Sequence, residues 1–288
     1  MKHNKYELLL ASVIAARATS FIFNKMLLAG MGSFTLLAIR FTIAFTLLMV
    51  IFYKKMRGTD RRTVFSGILV GALYFVVMSF ELTALKFTAS STVSMLQNCS
   101  IIFVPLFEAV IARRLPAKMT VVCAALAMSG VACLTFQQGS FTVGMIFALM
   151  GAMVYACAIM TTARVSRNCS NPFAIGVIQL GSIGALALAA SAMFDVYPEV
   201  ITAKQWAMIM MLVVVCSVFG FTLQPVAQSK VSAERAGLFC AISPAVATIL
   251  GAVVLHEEIG PASIAGLLLI LTSIMLPYIK IKGVAAAK

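Results

Sequence analysis

Apolar residues in this chain form long continuous runs separated by short polar junctions. A bilayer core about 30 Å thick takes roughly 20 residues of helix. Against that length the runs predict ten membrane-spanning helices, at about 6–28, 33–53, 63–83, 88–112, 118–136, 140–164, 172–194, 205–227, 233–255 and 261–281. The runs do not alternate and are too long for barrel strands. The expected fold is an all-α integral membrane protein. The first run continues to Leu28 without a small-residue cleavage site, so it is read as a retained span and not as a secretory signal.

Composition agrees with the pattern. The chain is 62% hydrophobic and 11% charged, where a soluble domain is about half apolar and a quarter charged. No polar stretch is long enough for an attached soluble domain. The net charge of +13 would point to nucleic acid in a soluble protein. Here it reflects the gathering of Lys and Arg in cytoplasmic loops, so the partners expected are a lipid bilayer and a small-molecule substrate, with no nucleic acid. With the N-terminus inside, 17 of the 22 basic residues fall on inner segments. Lys25, Lys86 and Lys204 fall on outer ones, and Arg17 and Arg40 lie within spans. The expected placement is a multi-pass protein of the cell membrane with both termini cytoplasmic.

Two junctions share their punctuation. "VIARRLPAKMTVV" (110–122) follows span 4 and "VVLHEEIGPASIAG" (253–266) follows span 9. An offset of 144 residues carries Arg113 to Glu257, Arg114 to Glu258, Leu115 to Ile259 and Ala89 to Ala233. Five spans separate the junctions, so they face opposite sides of the membrane. A shared ancestral junction would then be driven toward Arg on the inner side and be free to stay acidic on the outer. The expected organisation is an inverted 5+5 repeat, residues 1–136 and 137–288, an architecture of many secondary transporters.

Further residues carry a family resemblance. "LQPVAQSKVSAERAGLFCAISPAVATILGAVVLHEEIGPASIAGLLLILTSIML" (223–276) has a helix with Pro244, a Glu thirteen residues on at Glu257, and Gly266 in the last helix. "SFIFNK" (20–25), "LLAIRFTIAFTLL" (36–48) and "ALKFTAS" (84–90) supply first-half counterparts. In their order and spacing these resemble the EamA-type branch of the ten-helix drug/metabolite transporter superfamily, across essentially the whole chain. The chain departs from that pattern at "RATSF", where the family commonly has Trp-Gly. It also has Ser100 and Arg113 at the first-repeat Pro and Glu positions, with Pro105 displaced by five. The resemblance implies a secondary transporter, an exporter of small organic metabolites such as amino acids or related compounds, working by alternating access. Efflux of cationic drugs is the alternative, and a non-transporting scaffold or an intramembrane enzyme is the reading from another class.

The candidate residues are polar groups at membrane depth. Arg17 lies about eleven residues into span 1, where a charge costs at least about 2.5 kcal/mol unless paired or solvated. It is expected either to meet a substrate carboxylate or to pair with Glu81 or Glu108. Ser94, Gln97 and Asn98 on the polar span 4, Tyr74 on span 3, Tyr155 on span 6 and Gln179 on span 7 are the other expected lining residues. Glu81 and Glu108 are the carboxylates that could serve proton coupling. Arg40 is expected to snorkel to the outer interface, and Lys25, Glu7 and Lys86, near interfaces, to serve as anchors. Pro105, Pro225 and Pro244 sit inside spans and are expected to kink them as hinges. Small residues at fourth positions predict close helix contact: Gly67 and Gly71; Gly144, Ala148, Ala152 and Ala156; Ala233, Gly237, Ala241 and Ala245.

Other chemistry is thin. The seven cysteines have no paired spacing and are expected to be small core residues. "HEEIG" lacks the second His of a zinc-protease helix, and no Walker motif, Gly-x-Ser-x-Gly or paired-Asp motif is present. No metal, no cofactor and no enzymatic activity are expected, and the assembly expected is a monomer or weak homodimer.

Overall fold

The computed structural model describes residues 2–111, 113, 115, 118–137, 141–169, 171–196, 200–230, 242–258 and 260–285. Among these residues the regular structure is entirely helical. Span 1 is α1 (Lys2–Ala18) and α2 (Ser20–Leu28); spans 2 and 3 are α3 (Ser33–Met56) and α4 (Arg61–Phe87). Span 4 is α5 (Ser90–Asn98) and α6 (Ser100–Ile111), and span 5 is α7 (Lys118–Gln137). Spans 6 and 7 are α8 (Val143–Arg167) and α9 (Pro172–Phe194). Span 8 is α10 (Ala203–Met211), a π-helical segment (Leu212–Phe221) and α11 (Thr222–Gln228). Spans 9 and 10 contain α12 (Ile242–Leu255) and α13 (Pro261–Ala285).

Seven of these are long and apolar enough to cross a bilayer: Lys5–Leu28, Ser33–Met56, Arg61–Phe87, Ser90–Ile111, Val143–Arg167, Pro172–Phe194 and Ala203–Gln228. Val121–Gly130, Ile242–Leu255 and Pro261–Ser273 are shorter apolar helical stretches. They fall on predicted spans 5, 9 and 10. Residues 231–241, which hold Ala233, Gly237 and Ala241, lie outside the described residues. The protein is therefore a multi-pass helical membrane protein, with seven helices of spanning length among the described residues where ten were expected.

The helices pair by a rule. Span 2 packs on 7, 5 on 10 and 4 on 9. Spans 3 and 6 meet, as do 8 and 1; spans 4 and 6 meet, as do 9 and 1; spans 3 and 7 meet, as do 8 and 2. For these pairs, replacing each span by the one five away returns a pair of the same set, whereas the contacts of span 4 with spans 1, 3 and 5 have no such counterpart among the described residues. Small residues permit the contacts. Cβ atoms at Gly67 and Gly71 would run into Ile178 and Ser182 of α9, and one at Gly130 would meet the Gly266 carbonyl and Ile270. Gly144, Ala148, Ala152 and Ala156 are all buried along one face of α8.

Among the described residues three spans are divided between helical segments, and α3 carries one non-helical residue, Phe52. In span 1 the chain breaks at Thr19, where the hydroxyl turns back to donate to the Ala16 carbonyl (2.7 Å). Span 4 breaks at Cys99, six residues before Pro105. In span 8 the wide turns end just before Pro225, which has no N–H to give the Phe221 carbonyl four residues back. Gln179 of α9 supplies the donor: its Nε2 reaches that carbonyl at 2.7 Å. Gly176, one turn earlier, lets α9 come against the Thr222 backbone, which any Cβ would strike.

The two residues other than glycine with positive φ among the described residues are Arg113 (50°) and His256 (52°). They follow spans 4 and 9, and 256 minus 113 is 143. The left-handed turns therefore pair Arg113 with His256, one residue away from the offset read from the sequence.

Gln179→Leu should cost about 1–3 kcal/mol, the cost of a buried acceptor left without its donor. Pro225→Ala restores a backbone donor and should recover part of the loss. Unfolding of purified single and double variants in mixed micelles measures both.

Candidate functional site

The interruptions place polar groups around one cavity. Arg17, Ser20 and Phe21 flank the break in span 1, and Gln97 and Asn98 precede the break in span 4. Ile14, Met78, Glu81, Tyr155 and Ser243 complete the lining. The cavity among them has a volume of about 40 Å³.

Arg17 sits in a box of aromatic rings. Its guanidinium carbon is 4.0 Å from the centre of Phe221, 5.4 Å from Tyr74 and 5.8 Å from Tyr155. Nη1 donates to the Gln224 Oε1. Gly220 leaves room for its methylene stem, since a Cβ there would lie 2.7 Å from the Arg17 Cγ. Cation–π contact of this kind gives about 0.5–2 kcal/mol, and the π-helical segment is what brings Phe221 and Gln224 to the charge.

A second cation lies behind the first. Arg40 is 0% exposed, so it does not snorkel; it points inward because α3 packs against span 8 and α9 on that side. Its Nε donates to Ser217 Oγ (2.7 Å) and its Nη1 to Asn24 Oδ1 (3.4 Å). The same amide then donates from Nδ2 to Glu81 Oε1 (3.4 Å). Glu81 is 3% exposed. Phe221 separates the two guanidiniums, with the Arg40 carbon 5.9 Å from its ring centre. Among the described residues the one ion pair within 4.0 Å is Lys25–Glu257, so Arg17 pairs directly with neither Glu81 nor Glu108.

The expected site residues divide. Arg17, Gln97, Asn98, Tyr155 and Glu81 line the cavity. Tyr74 is buried against Arg17, Tyr155 and Phe221. Ser94 is buried and shares a hydrogen bond with Ser243 (3.4 Å). Gln179 is drawn away to the Phe221 carbonyl. Glu108 is exposed on α6 and does not line the cavity. Pro105 and Pro225 lie within helices; Pro244 lies two residues into α12, and the chain just before that helix is outside the described residues. Asn24, Arg40, Ser217, Phe221 and Gln224 were not anticipated. Their signal was there: each polar one of them interrupts an otherwise apolar run. Of the cysteines, Cys99, Cys123 and Cys216 are buried but Cys157 is exposed.

About 10 Å along the helices from the cavity, a polar knot ties spans 1, 3, 4 and 9 together. Glu257 Oε1 accepts from the Ser90 N–H and hydroxyl (both 2.7 Å), and Oε2 accepts from the Ser91 N–H (3.2 Å) and hydroxyl (2.8 Å). The carboxylate thus caps the α5 N-terminus, where exposed N–H groups favour negative charge. Lys25 joins Glu257 Oε1 (3.4 Å) and the Thr88 carbonyl (2.9 Å); it is a cross-link and not merely an interfacial anchor. The left-handed turn at His256 aims Glu257 at this point, and the Glu257 N–H returns to the Gly251 carbonyl (3.1 Å). Burial opposes ionisation of Glu257, but the Ser90 and Ser91 hydrogen bonds outweigh it and hold the carboxyl below the usual range. Nearby, Asp195 caps α3 through the Thr35 N–H (2.6 Å) and hydroxyl (3.1 Å).

A many-helix membrane bundle around a charged internal cavity has the architecture of a carrier. The EamA-like transporter family model matches residues 4–136 and 142–279, so the chain belongs to that family and is a membrane transporter of the drug/metabolite superfamily. An uncharacterized transporter of Archaeoglobus fulgidus is 25% identical over 266 residues, 89% of this chain and 91% of that protein. A solved crystal structure superposes with a TM-score of 0.73 at 16% identity, over 98% of this chain and 99% of the other; that likeness shows the fold. These relationships make the protein a transporter.

A carboxyl with a depressed pKa contributes stability that is complete above its unfolded value, about 4.3, and is lost as pH falls through the folded value. Glu257→Gln should therefore destabilise the protein by about 1–3 kcal/mol at pH 7. The gap to the wild type should close as pH drops below about 4, read from melting curves of both proteins across pH.

Proposed function

We propose that the protein is a secondary transporter that exports small carboxylate-bearing metabolites, amino acids or related compounds, across the cell membrane by alternating access. One observation carries the reading. Arg17 faces a cavity at membrane depth, with no carboxylate of the described residues within 4.0 Å. A charge so placed calls for a counter-charge, and a substrate carboxylate meets that need. The apolar lining of Ile14, Phe21 and Met78 suits the carbon skeleton of a small metabolite. Of the two carboxylates considered for proton coupling, Glu81 is the one at the cavity.

The mechanism rests on two five-span repeats of opposite orientation. The exchange symmetry of the helix pairs, the matched left-handed turns and the two family matches support it. So does the 17-to-3 division of basic residues, which also favours cytoplasmic termini. In this mechanism the Glu257–Ser90–Ser91–Lys25 knot is the contact that closes one mouth, and opening it requires Glu257 to leave the α5 N-terminus. The breaks at Thr19 and Cys99 and the π-helical segment are the places where the spans bend. The working unit is a monomer or weak homodimer.

Flux into liposomes holding the purified protein tests the reading. Uptake of carboxylate-bearing metabolites should saturate. Arg17→Gln should weaken binding of such substrates at least about thirtyfold while leaving the fold intact, since truncating one partner of a desolvated charge pair costs about 2–5 kcal/mol. Unchanged carboxylate flux in a stable Arg17→Gln protein would remove the reading. Preferential flux of organic cations would replace it with drug efflux.

A further inference from the structure

Resting on Arg17 as the carboxylate contact, we propose that the cavity is built for a small carboxylate of net charge −1, because Glu81 is committed to Arg40 through Asn24. Zwitterionic amino acids and cations are then weaker ligands, and Arg40 and Asn24 are positioning residues that set the charge the substrate must carry.

The charge count is short. Among the described residues, two guanidiniums, Arg17 and Arg40, and one carboxylate, Glu81, stand within the cavity and its immediate wall. Asn24 is fully buried between Arg40 and Glu81 with the polarity that links them. Its oxygen accepts from the cation and its nitrogen donates to the anion. Among the described residues no acidic group lies within 4.0 Å of Arg40, and its remaining hydrogen bond goes to the neutral Ser217. The hydrogen bond and ring contacts of Arg17 are to neutral groups, the Gln224 amide and the faces of three aromatic rings, while Glu81 shares the cavity lining with it beyond ion-pair distance. If Arg40 and Glu81 balance each other, the cavity presents one unbalanced positive charge.

That charge fixes the ligand. A monocarboxylate neutralises it. A zwitterion brings an ammonium as well, and the carboxylate that could receive it is already engaged. A cation adds to the imbalance. In a medium of low dielectric such differences are large, because the interaction of charges a few ångströms apart is only weakly screened. The same count says how to change the preference. Arg40→Gln releases Glu81 and makes the cavity neutral, which suits a zwitterion. Adding Glu81→Gln to that variant restores the unbalanced charge.

Three compounds with one carbon skeleton separate the cases: 4-methylpentanoate, leucine and isoamylamine, tested at pH 7 on the purified full-length protein by calorimetry and melting. In the wild type the acid should bind at least about tenfold tighter than leucine, and the amine should not compete. Arg40→Gln should shift the acid-to-leucine ratio toward leucine by about tenfold, and Arg40→Gln with Glu81→Gln should bring it back. Without any ligand, Arg40→Gln and Glu81→Gln should each lower the melting temperature, and the double variant should lose less than the sum. Leucine binding as tightly as the acid in the wild type overturns the inference, while loss of both on Arg17→Gln would leave the carboxylate reading standing. The amine binding most tightly overturns both. No binding of any of the three at about 10 mM, or an additive melting loss with an unchanged ratio, also overturns it and leaves Arg40 a structural residue.

Discussion

Two guanidinium groups and a carboxylate lie inside a bundle whose outer surface is hydrocarbon. Isolated charges there would cost several kcal/mol each, and most of the internal construction answers that cost. Asn24 and Ser217 provide hydrogen bonds to Arg40. Phe221 lies between the arginines and offers ring faces to both, with Phe41 and Tyr74 set edge-on at 5.3 Å to hold it there. These groups come from spans 1, 2, 3 and 8, so the charges determine which helices must meet at the centre.

The meeting is possible only with a backbone that is not uniformly α-helical. A regular helix through 212–228 would satisfy its own carbonyls and present its side chains at 100° steps. Pro225 prevents that, and the wider turns before it rotate Phe221 and Gln224 to Arg17 and Ser217 to Arg40. The disturbed carbonyl then needs an outside donor, which Gln179 provides. A polar residue that reads in the sequence as a substrate ligand is thereby occupied with backbone. At Thr19, too, a polar side chain is occupied with backbone, its hydroxyl donating to the Ala16 carbonyl just before α2 begins.

This explains what was legible in the sequence. Spanning helices follow from run length, because a membrane imposes one thickness on all of them. Close packing follows from small residues at fourth positions, and Gly67, Gly71 and the α8 face lie at helix contacts. Arg17 follows from its depth alone. Arg40 did not, because a position near a span end gives no sign of which neighbour covers it, and inward rotation of one side chain is a matter of tertiary contact. Glu108 shows the converse: its spacing from Gln97 looked like one face, but the break at Cys99 resets the helix between them. Periodicity does not carry across an interruption, and the interruptions are where the site is.

The junctions after spans 4 and 9 bring these strands together. Both turn through a left-handed residue, Arg113 in one and His256 in the other. At the second, the next residue is a glutamate, which accepts four hydrogen bonds at the start of α5. At the first, the next residue is Arg114, a side chain with donors only and a charge that a helix N-terminus repels. Whatever contact forms on that side, it is not a carboxylate cap of the same kind. The two junctions therefore share a backbone turn but differ in the residue that follows it, and the carboxylate that caps α5 belongs to the second.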